Sequence, residues 1–207
     1  RDATNKPATV TFVAPGTLRA VDSTGGVHVG VDPWWNGVRL KGPGTSELKL
    51  AAVATSAGVT TYTVSHRTSP TAPWIDACDG DTAVPIVGSY TTTWAHEATS
   101  GKITLACGTG VVDKCLDWGY PSGTTAGSAA WNLNQACTRM ASSDVCGNGQ
   151  PQTRTGTYIR VFDQAGINLP APTNFPTLSS WPPSHNDYWL EGGWGPNGAV
   201  CQSRPRW

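Results

Sequence analysis

The chain carries little charge, and the charge it has cancels. Charged residues fill 14% of 207 positions, with 14 Lys and Arg against 14 Asp and Glu, where soluble domains average about 25%. Such balance leaves no net field to draw in nucleic acid or an anionic membrane. A run of about 18 apolar residues, the least that a membrane-crossing helix needs, is also missing. No C-x-x-C or C-x-x-H pair occurs, which speaks against a zinc site. Neither G-x-S-x-G nor H-E-x-x-H is present, which disfavours an α/β-hydrolase or a zincin. No metal and no cofactor is expected.

What the chain has instead is turn-formers, tryptophan and cysteine. Its 24 glycines and 16 prolines suit a loop-rich β protein rather than a helical bundle. Six cysteines stand at Cys78, Cys107, Cys115, Cys137, Cys146 and Cys201. The even count, among Thr-, Ser- and Gly-rich segments, predicts export and three disulfides. The preferred pairings are Cys107 with Cys115 across a GTG turn, Cys137 with Cys146 at a helix end, and Cys78 with Cys201. The opening RDATNK, read together with those cysteines, is expected to be a mature form whose leader has been removed.

Alternation predicts the strands. Ala8–Ala14 is β-branched at every second position and stops at Pro15-Gly16, and Thr17–Val21 and Val27–Val31 flank a DSTGG turn. Glu47–Val53 with Val59–His66, and Ala83–Trp94 with Lys102–Cys107, read as two further hairpins. Asp32-Pro-Trp-Trp-Asn-Gly interrupts them. If extended, it points Trp34 and Trp35 to opposite sides, so one of the two is a candidate surface aromatic. The loop DACDGD resembles a calcium loop, but it lacks the ligand spacing and is expected to be an Asx turn.

One helix is predicted, around residues 128–143. Ser128 is placed to cap it, and Gly147-Asn148-Gly149 follows as a breaker. Trp131, Leu133, Ala136, Cys137 and Met140 recur at spacings of three and four, which puts them on one face. Thr157–Phe162 then reads as a returning strand. The fold class is α+β, mainly antiparallel β in a sandwich or barrel-like arrangement, with that one docked helix and three disulfides. Cysteines spread from 78 to 201 with no linker between them argue for a single domain over 1–207.

Three runs within and after the helix, Cys137-Thr-Arg-Met140, Ser143-Asp-Val-Cys-Gly-Asn-Gly149 and Thr153-Arg-Thr-Gly-Thr157, carry a family resemblance. Together with Lys114-Cys115 before Trp118-Gly119-Tyr120, Ala106-Cys107, Trp74–Cys78 and Gly198-Ala-Val-Cys201, this ordered set resembles the ADYC-domain proteins. These are secreted or surface proteins of myxobacteria and related Gram-negative bacteria. The likeness covers residues 74–201, with a β-rich part at 1–73. The chain departs from the name-giving Ala-Asp-Tyr-Cys tetrad, with Ser143 for Ala and Val145 for Tyr, and has Ser142 where Arg is usual. The resemblance implies secretion, disulfides and an architecture, but no established activity.

Candidate chemistry is thin. Asp144 is a general-base candidate, against its pairing with Arg139 to brace a turn. Asp113 and Asp117 flank Cys115, and two carboxylates are the equipment of glycoside hydrolysis. Glu191 and Trp194 join Asp117 as a candidate sugar groove, and His96-Glu97 and His185-Asn186-Asp187 add the imidazoles. Ten tryptophans are many, and indole rings stack on sugars and anchor interfaces. Trp34, Trp35, Trp189 and Trp194 are the binding candidates.

The leading expectation is therefore a secreted or cell-surface, non-enzymatic protein that recognises a glycan or a protein through exposed tryptophans. One alternative is an extracellular hydrolase using Asp144, Asp117, His185 or Glu191. The other is a self-associating structural subunit of an extracellular assembly.

Overall fold

The computed structural model describes residues 1–13, 16–42, 44–56, 58–99, 101–154, 156–157, 159–168 and 191–203. The chain forms two compact units that exchange segments, Arg1–Gly88 with Gly101–Asp113, and Ser89–Ser100 with Lys114–Trp207.

The first unit is antiparallel β. Strands β1 (Ala8–Val13), β2 (Thr17–Asp22) and β3 (Val27–Val29) form one sheet in that order. Register sets Val10 against Ala20 and Phe12 against Leu18, so the inward half of the alternation meets fully buried partners. The DSTGG turn is closed by Asp22, whose Oδ1 accepts from the backbone N–H groups of Thr24 at 2.8 Å and Gly26 at 2.9 Å. A short 3₁₀ turn, Pro33–Trp35, follows, capped by Asp32 accepting from the Trp34 N–H at 2.8 Å.

The larger sheet holds β4 (Val38–Lys41), β5 (Glu47–Ser56), β6 (Val59–Arg67), β7 (Ile75–Asp76), β8 (Ala83–Val87) and, past a segment of the second unit, β11 (Ile103–Cys107). Its order is β11-β8-β6-β5-β4, with β7 also paired to β6. The row Val38–Leu50–Val64 runs across three strands at 0%, 1% and 3% exposure. It joins Leu18, Trp35 and Tyr62 in an apolar core. Asp76 makes the Asx turn predicted for DACDGD, accepting from the N–H of Cys78 at 2.8 Å and of Gly80 at 3.1 Å.

The second unit has little sheet. β9 (Ser89–Tyr90) pairs β10 (His96–Glu97), and β12 (Gly192–Gly195) pairs β13 (Gly198–Gln202). Helix α2 (Ala129–Ser142) is capped by Ser128, which accepts from the Trp131 N–H at 3.3 Å. Ser143 ends it in the left-handed conformation, at φ 54°.

Several expectations need correction. A second helix, α1 (Val111–Asp117), exists; seven residues are too few to reveal a helical period in sequence. No closed barrel forms among the described residues, whose strands lie in four separate sheets. Of the expected strand Thr157–Phe162, the described residues show only an isolated bridge at Phe162.

Two disulfides form, not three: Cys78–Cys107 and Cys115–Cys137. Each closes a loop of 29 or 22 residues, and so is worth about 3.5 kcal/mol by restricting the unfolded chain. Cys146 and Cys201 are exposed thiols. Their segments do touch, with the Ala199 N–H donating to the Val145 carbonyl at 3.0 Å. The contact runs antiparallel, however, since a Cβ on Gly147 would meet the Asn197 carbonyl. Cys201 therefore leads away from Cys146.

Candidate functional site

In the second unit the candidates centre on α2, and its buried residues are polar. Asn134, Gln135, Thr138, Arg139 and Ser142 are buried with Cys137 and Ala141, whereas Trp131, Leu133, Ala136 and Met140 are only partly covered. The loop between β9 and β10 explains this. Two-residue strands leave most of its backbone groups without ladder partners, and buried groups must find others. Gln135 supplies two, accepting from the His96 N–H at 2.7 Å and donating to the Trp94 carbonyl at 2.9 Å. Trp131 Nε1 donates to the His96 carbonyl at 3.0 Å, and Arg139 donates to that of Thr93.

Asp144 pairs with Arg139, and both side chains are buried. The Asp144 carboxylate also accepts from the N–H groups of Asn148 at 3.0 Å and Gly149 at 2.9 Å. At 1% exposure it is occupied and sealed from solvent, so the geometry here braces the GNG turn. Gly149 must be glycine, since its φ is 80° and a Cβ would stand 2.6 Å from the Thr92 carbonyl.

The remaining acid–base candidates among the described residues fall on α1, beside the α2 cap and in the β9–β10 pair. Asp117 is exposed at the end of α1, and Asp113 is buried in its first turn. Glu191 accepts the Ser143 hydroxyl at 2.8 Å, which sets it beside the α2 cap, one residue from Asp144. Trp194, in β12, is partly covered. His185, Asn186, Asp187 and Trp189 lie outside the described residues. His96 is buried, its ring stacked on Tyr90 at 4.9 Å, and Glu97 accepts from Ser89 at 3.0 Å. Burial raises the Tyr120 phenol to about 12, helped by its hydrogen bond to Asp163 at 2.7 Å.

In the first unit, Trp35 is fully buried with its ring edge-on to Tyr62 at 5.6 Å. It is a core residue, and any contact with an outside partner falls to Trp34. That ring lies flat on His28 at 4.4 Å and 6°. The imidazole is held at both nitrogens, Nδ1 by Asp32 at 2.8 Å and Nε2 by Asp22 at 3.1 Å. Burial lowers its pKa, but the two carboxylates outweigh this and raise it. Hydrogen bonds from Thr24 first, and then from His28, hold Asp22 well below the carboxylate range.

A second aromatic site was not foreseen. Trp74 is partly exposed, with the Arg67 guanidinium 4.4 Å and the Lys49 ammonium 4.8 Å from its ring centre. Arg67 is also paired with Glu47. Alternation alone places Glu47, Lys49, Ser65 and Arg67 on the face away from the core. That signal was available, but nothing local announced Trp74 as their neighbour.

These features define a class: a disulfide-bonded, mainly antiparallel β protein with a polar-cored helical unit. The ADYC domain family model matches residues 33–207, and the chain belongs to that family. The match begins well before residue 74 and takes in most of the large sheet. No curated protein and no solved structure matches the chain. No helix among the described residues is long and apolar enough to cross a membrane.

Proposed function

We propose that this ADYC-domain chain is a secreted or cell-surface binding protein, non-enzymatic, that recognises a glycan through tryptophans left part-exposed. The observation that carries the reading is Trp74, a large ring at the surface of a rigid sheet, fixed in place by Lys49 and Arg67. A ring immobilised before contact loses little entropy on binding, and it offers both apolar area and adjacent hydrogen-bond donors. Trp34, stacked on His28, is a second ring of this kind. The two disulfides support an oxidising, extracellular location. Screening the full chain on a glycan array tests the reading: retention of one glycan class, reduced at least tenfold by Trp74→Ala, is expected. Retention of no glycan ends it.

A second reading, a subunit of an extracellular assembly, is favoured by the exposed thiols of Cys146 and Cys201. Under oxidising conditions such thiols join chains through disulfides. A covalent dimer on a non-reducing gel, abolished by Cys146→Ser with Cys201→Ser, is the outcome this reading requires.

A further inference from the structure

The register of the large sheet sorts charge onto one face of a chain whose total is neutral. Cross-strand partners share a face, so Lys41, Glu47 and Arg67 form one outward row, and Arg39, Lys49 and Ser65 form the next. The intervening residues point to the core, as the buried row Val38–Leu50–Val64 shows. Arg1 adds to this face, because its guanidinium and that of Arg39 both donate to the Asn5 side-chain carbonyl, at 3.2 and 2.9 Å. Glu47 is held below its usual pKa by Arg67 first, with Arg39 and Arg1 contributing. Its ion pair is with Arg67. Arg1, Arg39, Lys41 and Lys49 add further positive charge to this face; beyond Glu47, the acid along these rows is Asp76, opposite Ser65 at the sheet's edge and turned to the N–H groups of its own loop.

We infer that the outward face of β4, β5 and β6, with Arg1, Arg39, Lys41, Lys49 and Trp74, binds an acidic polysaccharide, one whose sugars carry carboxylate or sulfate groups. The inference rests on the glycan-binding reading and names its ligand class and surface. Neighbouring strands lie about 4.8 Å apart, and same-face residues along a strand about 6.7 Å apart. The cations therefore make a patch the size of a few sugar units rather than a long groove. Trp74 limits the motion of Lys49 by a cation–π contact, so less entropy is lost when an anion docks. A polynucleotide is the weaker fit, because one ring provides no row of stacking platforms for bases.

The test titrates the full chain with polygalacturonate and with dextran sulfate, taking plain dextran, poly-glutamate and a single-stranded oligonucleotide as controls. The expected result is binding to an acidic glycan that weakens as salt rises and falls at least tenfold in Lys41→Glu with Lys49→Glu. The milder pair Arg39→Gln with Lys41→Gln, checked for an unchanged unfolding midpoint, is expected to fall several-fold. The inference is overturned if poly-glutamate or the oligonucleotide binds as tightly as the acidic glycans, or if both charge variants keep wild-type affinity. Retention of neutral glycans alone, unaffected by these variants, removes this site and leaves the glycan-binding reading standing. Retention of no glycan removes both.

Discussion

The two units are held together by different chemistry. In the first, Leu18, Trp35, Val38, Leu50, Tyr62 and Val64 interlock, and the sheet ladders absorb the backbone polar groups. In the second, the centre is a helix whose buried side chains include Asn134, Gln135, Thr138, Arg139 and Ser142 beside Cys137 and Ala141. Apolar burial is non-directional and tolerates exchange of like volumes. A buried polar network is directional, and losing one member strands the others. The first unit should therefore respond to lost volume, and the second to lost hydrogen bonds.

The strongest challenge to that contrast is Asp144→Ala. It leaves the Arg139 guanidinium charged and buried, and frees the N–H groups of Asn148 and Gly149. Breaking a buried pair by removing one partner costs about 3–5 kcal/mol. Denaturant unfolding should show this loss, and hydrogen exchange should place it in Ser89–Ser100 and Lys114–Gly149 rather than in the large sheet. Arg139→Met combined with Asp144→Asn should recover part of the loss, because no lone charge is then left inside. A double variant no better than Asp144→Ala would mean that the network is not governed by charge.

Next in size is Leu50→Ala, at 1% exposure in the middle of the large sheet. A truncation of this kind costs about 2–5 kcal/mol, including the cavity left behind. Here exchange should rise across β4, β5 and β6 and leave α2 protected. If both variants raise exchange everywhere equally, the two cores unfold as one and the comparison fails.

A matched pair of gentle substitutions sharpens it. Leu50→Met keeps volume and should cost less than about 1.5 kcal/mol. Thr138→Val also keeps shape, but it removes a hydroxyl that donates to the Gln135 carbonyl at 2.8 Å and accepts from Gln135 Nε2 at 3.1 Å. Leaving one of the Gln135 amide hydrogens without its partner should cost about 1–3 kcal/mol. Unfolding midpoints compared at equal denaturant slope give the answer. Thr138→Val costing no more than Leu50→Met would show that the α2 network is incidental.

The same difference explains what was legible in the sequence. In the first unit, period-two alternation and the DSTGG turn gave away β1, β2, β3 and the β5–β6 and β8–β11 pairings, although in β3 it is His28 that is covered while Val27 and Val29 are exposed. In the second, Ser128 and the Gly147-Asn-Gly149 breaker located α2 to within a residue or two. The apolar positions Trp131, Leu133, Ala136 and Met140 nevertheless misled as to its buried face. Which face a helix buries depended on Thr93, Trp94 and His96, whose unladdered backbone groups no local pattern reveals. Disulfide pairing and the neighbours of Trp74 are likewise set by register between distant strands. The Arg139–Asp144 pair was readable, because five residues across a helix end bring such side chains together.

The smallest expected effect lies in the first unit, at the polar cluster around His28, and it depends on pH. His28 is clasped between Asp22 and Asp32 beneath the Trp34 ring, and only a protonated imidazole can donate at both nitrogens. Burial disfavours that charge, but the hydrogen bonds the ring donates to Asp32 and Asp22 prevail, and the folded-state pKa lies above the ordinary value of 6.5. For a group raised in this way, the stabilisation is complete below the unfolded value and is lost as pH rises through the folded one. Unfolding midpoints of wild type against His28→Gln should therefore differ most below the unfolded value of about 6.5 and converge as pH rises through the folded one. The first unit would then contain a clasp that loosens as pH rises, while Leu50 and its neighbours are indifferent to pH. A difference between the two proteins that stays constant over that range would make His28 a packing residue like those around it, with the carboxylates holding the turn and the 3₁₀ cap on their own.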